Sequence, residues 1–150
     1  MIVQITKVHN DAVLPHYAHP GDAGMDLYCI DEMTIEAGDT ALARTGLKIA
    51  VPEGYEAQVR PKSGLALKYA VSLANAPGTI DSGYRGEVQV ILINHGREPF
   101  HVGRQTKIAQ MVICPVMRVE VVEVEQLDET SRGEGGFGST GVQYRREGQR

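Results

Sequence analysis

Short β-rich runs, separated at frequent intervals by glycine and proline, are the feature of this sequence that most limits its fold. Runs such as Ile2–Val8 and Val88–Ile93 alternate or are rich in β-branched residues, and turn signals such as Pro77-Gly78 and Ser82-Gly83 lie between runs. Many short strands with frequent turns are typical of an all-β sandwich or barrel, and not of a βαβ fold. We therefore predict an all-β protein.

All predicted strands and the one predicted helix lie before residue 125. Only residues 65–71 run free of breakers with helix-compatible residues, and this length allows one or two helical turns. From Asp128 onwards the composition changes to glycine, serine and charge, which is typical of a mobile tail. We expect one β-barrel domain over residues 1–127 and a mobile, glycine-rich C-terminal arm over residues 128–150. The predicted strands are residues 2–8, a short piece at Tyr28, and residues 34–36, 40–44, 48–51, 56–59, 88–93, 107–113 and 116–124.

Composition excludes several classes of function. The 150 residues are 42% hydrophobic, which is enough for one core, and the net charge is −4. A duplex nucleic-acid partner is not expected, because it would need a broad basic face. No apolar run approaches a membrane span or signal peptide, so we predict a cytoplasmic protein without a membrane partner. Cys29 and Cys114 have no metal or disulfide spacing and are expected to be reduced thiols.

The stretch 75–88 places one carboxylate, Asp81, and one aromatic ring, Tyr84, among turn residues just before an alternating run. Two turn signals followed by a strand predict a hairpin, with Asp81 near its tip. Backbone groups of residues 78–80 there could read the edge of a flat polar ligand, and the carboxylate could orient and deprotonate a water. On the residues alone, an Asp that caps the turn and a Tyr that only packs remain an open alternative.

Two further segments carry charge in unusual settings. Within Ala23–Leu27, Asp26 is a strand carboxylate among apolar neighbours, which is costly without cationic partners or waters; a structural hydrogen bond is the alternative. Arg60–Leu65 combines two cations, a hydroxyl and a glycine at the start of a short helix. The first N–H groups of a helix lack intrahelical acceptors, so this segment could hold a phosphate, or it could be an ordinary capped turn.

The segment Arg132–Gly141 has five glycines around a single phenylalanine, with one guanidinium and two hydroxyls. It is not a P-loop, because Ser139 and not lysine follows Gly138. Many free N–H groups suit phosphate binding, whereas a flexible linker is the alternative for any glycine-rich tail.

Five segments of the chain resemble, in order, the five motifs of the trimeric dUTP diphosphatases (dUTPases). They are residues 23–27, 60–65, 78–86, 107–111 and 132–141, so the resemblance covers nearly the whole chain. It implies a distorted jelly-roll β-barrel and a homotrimer whose sites each draw on more than one subunit. Lys62 and Lys107 stand where the family commonly has arginine, which replaces a bidentate guanidinium by a point charge.

The resemblance also implies a reaction and residue roles. Water attacks the α-phosphorus of dUTP to give dUMP and pyrophosphate, with Asp81 as base and Mg²⁺ carried on the triphosphate, touched through water by Asp26. Phe137 stacks on the base when the arm closes over the site. The other implied substrate contacts are Asn75, Gly78, Thr79, Ile80, Asp81 and Gln89 for uracil, Tyr84 for deoxyribose, and Lys62, Ser63, Gly64, Gln110, Arg132, Gly138, Ser139 and Thr140 for the phosphates.

Two alternatives compete with this function. A dCTP deaminase shares a similar turn, but aligning on Asp81 and Gly86 places its catalytic glutamate at Ile91, which cannot move protons. A non-catalytic module would bind dUTP through the same surface without hydrolysing it. Release of pyrophosphate on addition of dUTP distinguishes a dUTP-hydrolysing enzyme from such a module.

Overall fold

The computed structural model describes residues 1–143, and in that part of the chain it contains ten β-strands and one α-helix. Chain contacts group residues Met1–Arg118, which hold all of these elements, separately from Val119–Arg150. The elements are β1 (Gln4–Lys7), β2 (Met25–Tyr28), β3 (Met33–Ile35), β4 (Thr40–Ala50), β5 (Tyr55–Arg60), α1 (Ser63–Tyr69), β6 (Val71–Leu73), β7 (Gly78–Ile80), β8 (Glu87–Asn94), β9 (Phe100–Val102) and β10 (Lys107–Pro115).

Two four-stranded antiparallel sheets build the fold, with strand orders β1-β4-β8-β6 and β2-β10-β5-β7; β3 and β9 form a small third sheet. Side chains alternate along the strands. In β8, Val88, Val90 and Leu92 are buried while Gln89 and Ile91 are exposed. This period of two places one row of apolar side chains in a common core and leaves the other row for function. The predicted all-β, jelly-roll-like fold is confirmed.

Several element boundaries differ from the prediction. Residues 40–44 and 48–50 belong to one strand, β4, which pairs with β8 on both sides of a register shift between Arg44 and Lys48 and with β1 over residues 47–50. The helix begins at Ser63, two residues early, and ends where Ala70 turns left-handed at φ 54°. Three strands of three residues, β6, β7 and β9, were not predicted, since such short runs carry almost no periodicity. Among the described residues, α1 is the only helix, and it is far too short to cross a membrane.

The predicted strand over residues 116–124 is wrong. This segment has no regular structure, and Val119 and Val121 are 75% and 89% exposed. No described strand pairs with it, and a strand needs a neighbour for its backbone N–H and C=O groups. The predicted functional division between a domain ending at residue 127 and an arm beginning at 128 stays a prediction, and residues 144–150 of that arm lie outside the described residues.

The predicted hairpin around Asp81 is also wrong. Strand β7 pairs with β5 in one sheet, whereas β8 pairs with β4 and β6 in the other. The turn at residues 81–86 therefore carries the chain from one sheet to the other. The turn signals were read correctly, but alternation does not reveal which strand is the partner.

Candidate active site

Asp81 lies on a turn that is held by its own hydrogen bonds. It directly follows Ile80, which pairs with β5, and its carbonyl accepts a hydrogen bond of 3.1 Å from the N–H of Tyr84. The guanidinium of Arg85 donates to the carbonyls of Ser82 (2.7 Å) and Tyr84 (2.8 Å). The carboxylate is thus on a fixed backbone although no hairpin supports it. Through these two bonds the Arg85 side chain braces the turn.

A cavity of about 240 Å³ lies beside the turn. Its apolar wall includes Leu42 and Ile91, which pair across β4 and β8. A second cavity of about 210 Å³ lies on the other side of Asp81 and includes Glu56 and Arg118. The first cavity brings together five of the predicted site residues, namely Thr79, Ile80, Asp81, Tyr84 and Gln89.

Strand β7 presents free backbone groups next to this cavity. It is the last strand of its sheet and pairs with β5 on one side only, so its other edge is open. At its start, the amide nitrogen of Asn75 would lie 3.3 Å from a Cβ on Gly78, which places the Asn75 side chain against the strand. An open edge with an amide at one end can pair with the hydrogen-bonding edge of a planar base.

A second cluster is built around the buried carboxylate of Asp26, which is 6% exposed. One of its oxygens is bound by the ammonium of Lys62, and the other lies 2.7 Å from the ammonium of Lys107. Burial raises the pKa of Asp26, but hydrogen bonds and charge from Lys107 and Lys62 outweigh burial, and its pKa lies below the ordinary value. Two ammoniums around one carboxylate leave a local charge of +1 with free N–H donors, which suits an anion.

Three more predicted residues adjoin this cluster. Gln110 pairs with Asp26 in the sheet, and its amide donates to the carbonyl of Pro61 at 2.9 Å. Ser63 and Gly64 are the first residues of α1, whose N–H groups there lack intrahelical acceptors. Asp26, Lys62, Ser63, Gly64, Lys107 and Gln110 form what we call the cationic cluster.

The cationic cluster and Asp81 lie at opposite corners of one sheet. Asp26 pairs with Gln110 and Gln110 with Arg60, whereas Ile80, just before Asp81, pairs with Ala57 three residues further along β5. Neighbouring strands lie about 4.8 Å apart and residues rise about 3.3 Å, so the two corners are about 20 Å apart. A triphosphate cannot bridge that distance, and one copy of the chain does not bring these predicted residues into one site.

The predicted arm residues belong to the second group of contacts, Val119–Arg150. There Arg132 donates from Nε to the carbonyl of Gly135 at 2.8 Å, and the N–H of Ser139 donates to Gly136 at 3.0 Å. The Phe137 ring is fully exposed, and Gly138 has φ 95°. Thr140 is also exposed.

Carboxylate chemistry limits how a magnesium ion could be held. Within residues 1–143, no group of three His, Cys, Asp or Glu side chains could enclose a metal. Both oxygens of Asp26 already carry an ammonium, but each has a second lone pair that a metal-bound water can reach. The residues therefore fit an ion that is bound by phosphates and contacted through water.

A family model and several named proteins are similar to this chain over most of its length. The family model described as dUTPase matches residues 10–141. Proteins named deoxyuridine 5′-triphosphate nucleotidohydrolase are similar: one from Alkaliphilus metalliredigens is 59% identical over 93% of this chain and 97% of its own length, and one from Clostridium acetobutylicum is 56% identical over the same shares.

Solved structures agree with the fold. The dUTPase of Staphylococcus bacteriophage 80alpha with dUpNHpp has a TM-score of 0.87 and 25% identity, over 94% of this chain and 99% of that one. A phage phi11 dUTPase, for which coordination of a structural Mg(II) ion is described, has a TM-score of 0.78 over 84% of this chain and 98% of its own. Its identity of 23% makes it a likeness of fold alone.

The fold and the site define a class of protein: an all-β nucleotide-binding protein. It has a carboxylate on a turn and a separate cationic cluster. The chain belongs to the dUTPase family, and its activity is the hydrolysis of dUTP to dUMP and pyrophosphate. The deaminase and non-catalytic alternatives are therefore set aside. At the position of the deaminase glutamate, Ile91 is an apolar wall of the cavity.

Sequence reasoning assigned no role to two residues that the site uses. Lys107 was noted only as a replacement for arginine, yet it binds Asp26 directly. The available signal was the cost of burying Asp26, which requires cations nearby. Gly24 was quoted only as part of a motif. A Cβ there would collide with the Gln110 side-chain oxygen, so its absence lets Gln110 reach Pro61.

Replacing Asp26 with asparagine should change the pH dependence of stability. The pKa of Asp26 is lowered from 3.8 in the folded chain, so this carboxylate stabilises the fold above that value, and the contribution is lost as pH falls through the folded pKa. As the pH falls below about 4, we expect the melting temperature of the parent to fall more steeply than that of Asp26→Asn.

The control is Asp39→Asn, because the exposed side chain of Asp39 makes no hydrogen bond or ion pair within the described part of the chain. It should keep the parental slope. Equal slopes for the parent and Asp26→Asn would show that the two lysines do not hold this carboxylate ionised.

Proposed function

We propose that Asp81 is the base of the reaction and that it orients and deprotonates a water for in-line attack on the α-phosphorus. The observation that carries this proposal is the position of Asp81 on a braced turn, in a cavity shared with Tyr84 and Gln89. Pyrophosphate release, measured with dUTP, UTP, dTTP and dCTP, tests the reaction and its substrate, and the Asp81→Asn variant described below tests the base. We expect strong preference for dUTP.

The cavity beside β7 suits a deoxyuridine. Asn75 and the open edge of residues 78–80 would pair with the polar edge of uracil, with one further contact from Gln89. A base held closely against β7 would leave no room for the thymine methyl group. Tyr84 would lie against the deoxyribose, so that a ribose 2′-hydroxyl meets the ring.

The cationic cluster suits the phosphates. Lys62 and Lys107 carry the charge, while Ser63, Gly64 and Gln110 offer N–H and O–H donors. Mg²⁺ bound to the triphosphate would supply positive charge for the leaving pyrophosphate. Asp26 would hold the two lysines in place and accept a hydrogen bond from a metal-bound water.

The arm would complete the site. Arg132, Ser139 and Thr140, with the backbone of Gly138, offer donors for phosphate, and the exposed ring of Phe137 can stack on uracil. Closure of the arm over a bound nucleotide would exclude bulk water from the reacting phosphate.

We infer that the enzyme is a cytoplasmic homotrimer with sites shared between subunits. The separation of about 20 Å between Asp81 and the cationic cluster supports sharing, because one nucleotide must contact both. Exposed valines in residues 119–124, which alternate with glutamates as a strand would, support assembly, since such a segment can pair with a sheet edge of another copy. A free nucleotide substrate is consistent with the cytoplasm.

Asp81→Asn should lower turnover by at least about 10²-fold and leave dUTP binding largely intact, because the amide keeps the shape but cannot accept the proton. Turnover is measured by pyrophosphate release, and binding by calorimetry with dUpNHpp. Glu56→Gln is the matched control, since Glu56 is a second carboxylate that lines the 210 Å³ cavity together with Asp81. A severe loss in Glu56→Gln with near-parental turnover in Asp81→Asn would transfer the role of base to Glu56.

Two inactive variants should restore activity to each other when they are refolded together. One is Asp81→Asn with a full arm, and the other is truncated after Leu127 with Asp81 intact. An arm of about 20 residues can reach about 65 Å when extended, so the site of a neighbouring subunit is accessible. In mixed trimers, some sites then combine Asp81 of one chain with the arm of another, and pyrophosphate release should reappear.

In the control mixture, the full-length Asp81→Asn chain is replaced by a chain that has both Asp81→Asn and the truncation after Leu127. This mixture contains no arm and should stay inactive. Mass spectrometry must confirm mixed trimers in both samples. Mixed trimers no more active than their parents would mean that each arm closes over its own Asp81.

A further inference from the structure

Gly86 occupies a position where a side chain has no room. A Cβ built there would lie 2.9 Å from Cε2 of Tyr84 and closer still to its Cζ and Oη. The backbone of Gly86 is not in the left-handed region, so its conformation does not require glycine. The Tyr84 ring therefore fills the space that any side chain at residue 86 would need.

A hydrogen bond also fixes the position of the Tyr84 ring. The phenolic Oη of Tyr84 donates to the carbonyl of Glu87 at 3.0 Å. Glu87 begins β8, and its carboxylate is itself anchored by the N–H of Gly46 at 2.9 Å and by Arg44 at 3.3 Å. The acceptor for the Tyr84 hydroxyl is thus a fixed point, and the ring lies folded over Gly86 at the edge of the 240 Å³ cavity.

We propose that Gly86 is a specificity-determining positioning residue, which sets the location of the Tyr84 ring and thereby the discrimination between deoxyribose and ribose. This inference rests on the proposed function, in which the Tyr84 ring excludes a 2′-hydroxyl. Gly86 does not touch the substrate; it acts by leaving room for the ring, and the Tyr84 to Glu87 hydrogen bond holds the ring in that room.

A methyl group at residue 86 displaces the ring without disrupting the fold. The atoms that collide are the far end of a side chain that is 46% exposed and can rotate about χ1 and χ2. Rotation breaks the bond to Glu87 and removes the ring from its place against the sugar. Asp81 keeps its bonds within the turn, because they join backbone groups and the Arg85 side chain.

The test compares kcat/KM for dUTP and UTP in the parent and in Gly86→Ala. We expect the dUTP-to-UTP ratio to fall by about tenfold or more, mainly because UTP hydrolysis rises, since a cavity that no longer opposes the hydroxyl discriminates poorly against it. Gly83→Ala is the matched control: it lies in the same turn, has no left-handed φ, and its Cβ would meet nothing within 4 Å. It should keep the ratio within about twofold.

A double-mutant cycle shows whether Gly86 acts through Tyr84. In the Tyr84→Ala background, where no ring remains to be displaced, Gly86→Ala should leave the dUTP-to-UTP ratio and the kcat/KM for each nucleotide unchanged within about twofold. A general loosening of the turn would instead lower the ratio further, or reduce hydrolysis of both nucleotides equally. Either result would overturn the proposal, as would a parental ratio in a folded Gly86→Ala.

If Gly86→Ala does not fold, a second variant, Tyr84→Phe, tests whether the position of the Tyr84 ring sets the dUTP-to-UTP ratio. Tyr84→Phe keeps the ring but removes the hydroxyl that binds Glu87, and a severalfold lower ratio supports the positioned ring, whereas a parental ratio overturns it. Failure of the underlying function has a different signature. In that case the parent releases no pyrophosphate from dUTP, or Tyr84→Ala retains the parental ratio.

Discussion

The antiparallel register of the sheet β2-β10-β5-β7 determines where the chemistry of this enzyme can occur. Pairing of Asp26 with Gln110, and of Gln110 with Arg60, gathers the cationic cluster at one corner. Pairing of Ile80 with Ala57 places Asp81 at the opposite corner, about 20 Å away. If both corners contact one nucleotide, as we propose, one copy of the fold cannot complete the site alone, and this separation is the physical basis of the proposed shared assembly.

Each half is stabilised by its own local interactions. At the cationic cluster, two ammoniums keep a buried carboxylate ionised, and the carboxylate in turn holds the two ammoniums in place, where we propose that they bind phosphates. At the other corner, hydrogen bonds within residues 81–87 fix the backbone of Asp81, the proposed base, and the Tyr84 ring. In the proposed mechanism, recognition would depend on the geometry of this turn, and phosphate binding on the electrostatics of the cationic cluster.

Much of this was accessible from the sequence, and the exceptions have physical causes. Alternation predicted most longer strands because one face of each sheet is buried. It failed for residues 116–124, where the pattern is present but the described chain offers no partner strand. Asp81 and Tyr84 were predicted as site residues from their turn, and the structure places both beside one cavity, yet the predicted hairpin was wrong, since pairing of β7 with β5 is a long-range choice. The roles of Lys107 and Gly86 depend on contacts in space that spacing along the chain does not encode.

The central claim is that one nucleotide contacts the two corners of different subunits. A crystal structure of the protein with dUpNHpp and Mg²⁺ tests it most directly, because it assigns every phosphate contact to a chain. The account predicts that the Asp81 nearest the α-phosphorus and the Lys62 nearest the terminal phosphates belong to different subunits. A nucleotide bound by Asp81 and Lys62 of one and the same chain would contradict it.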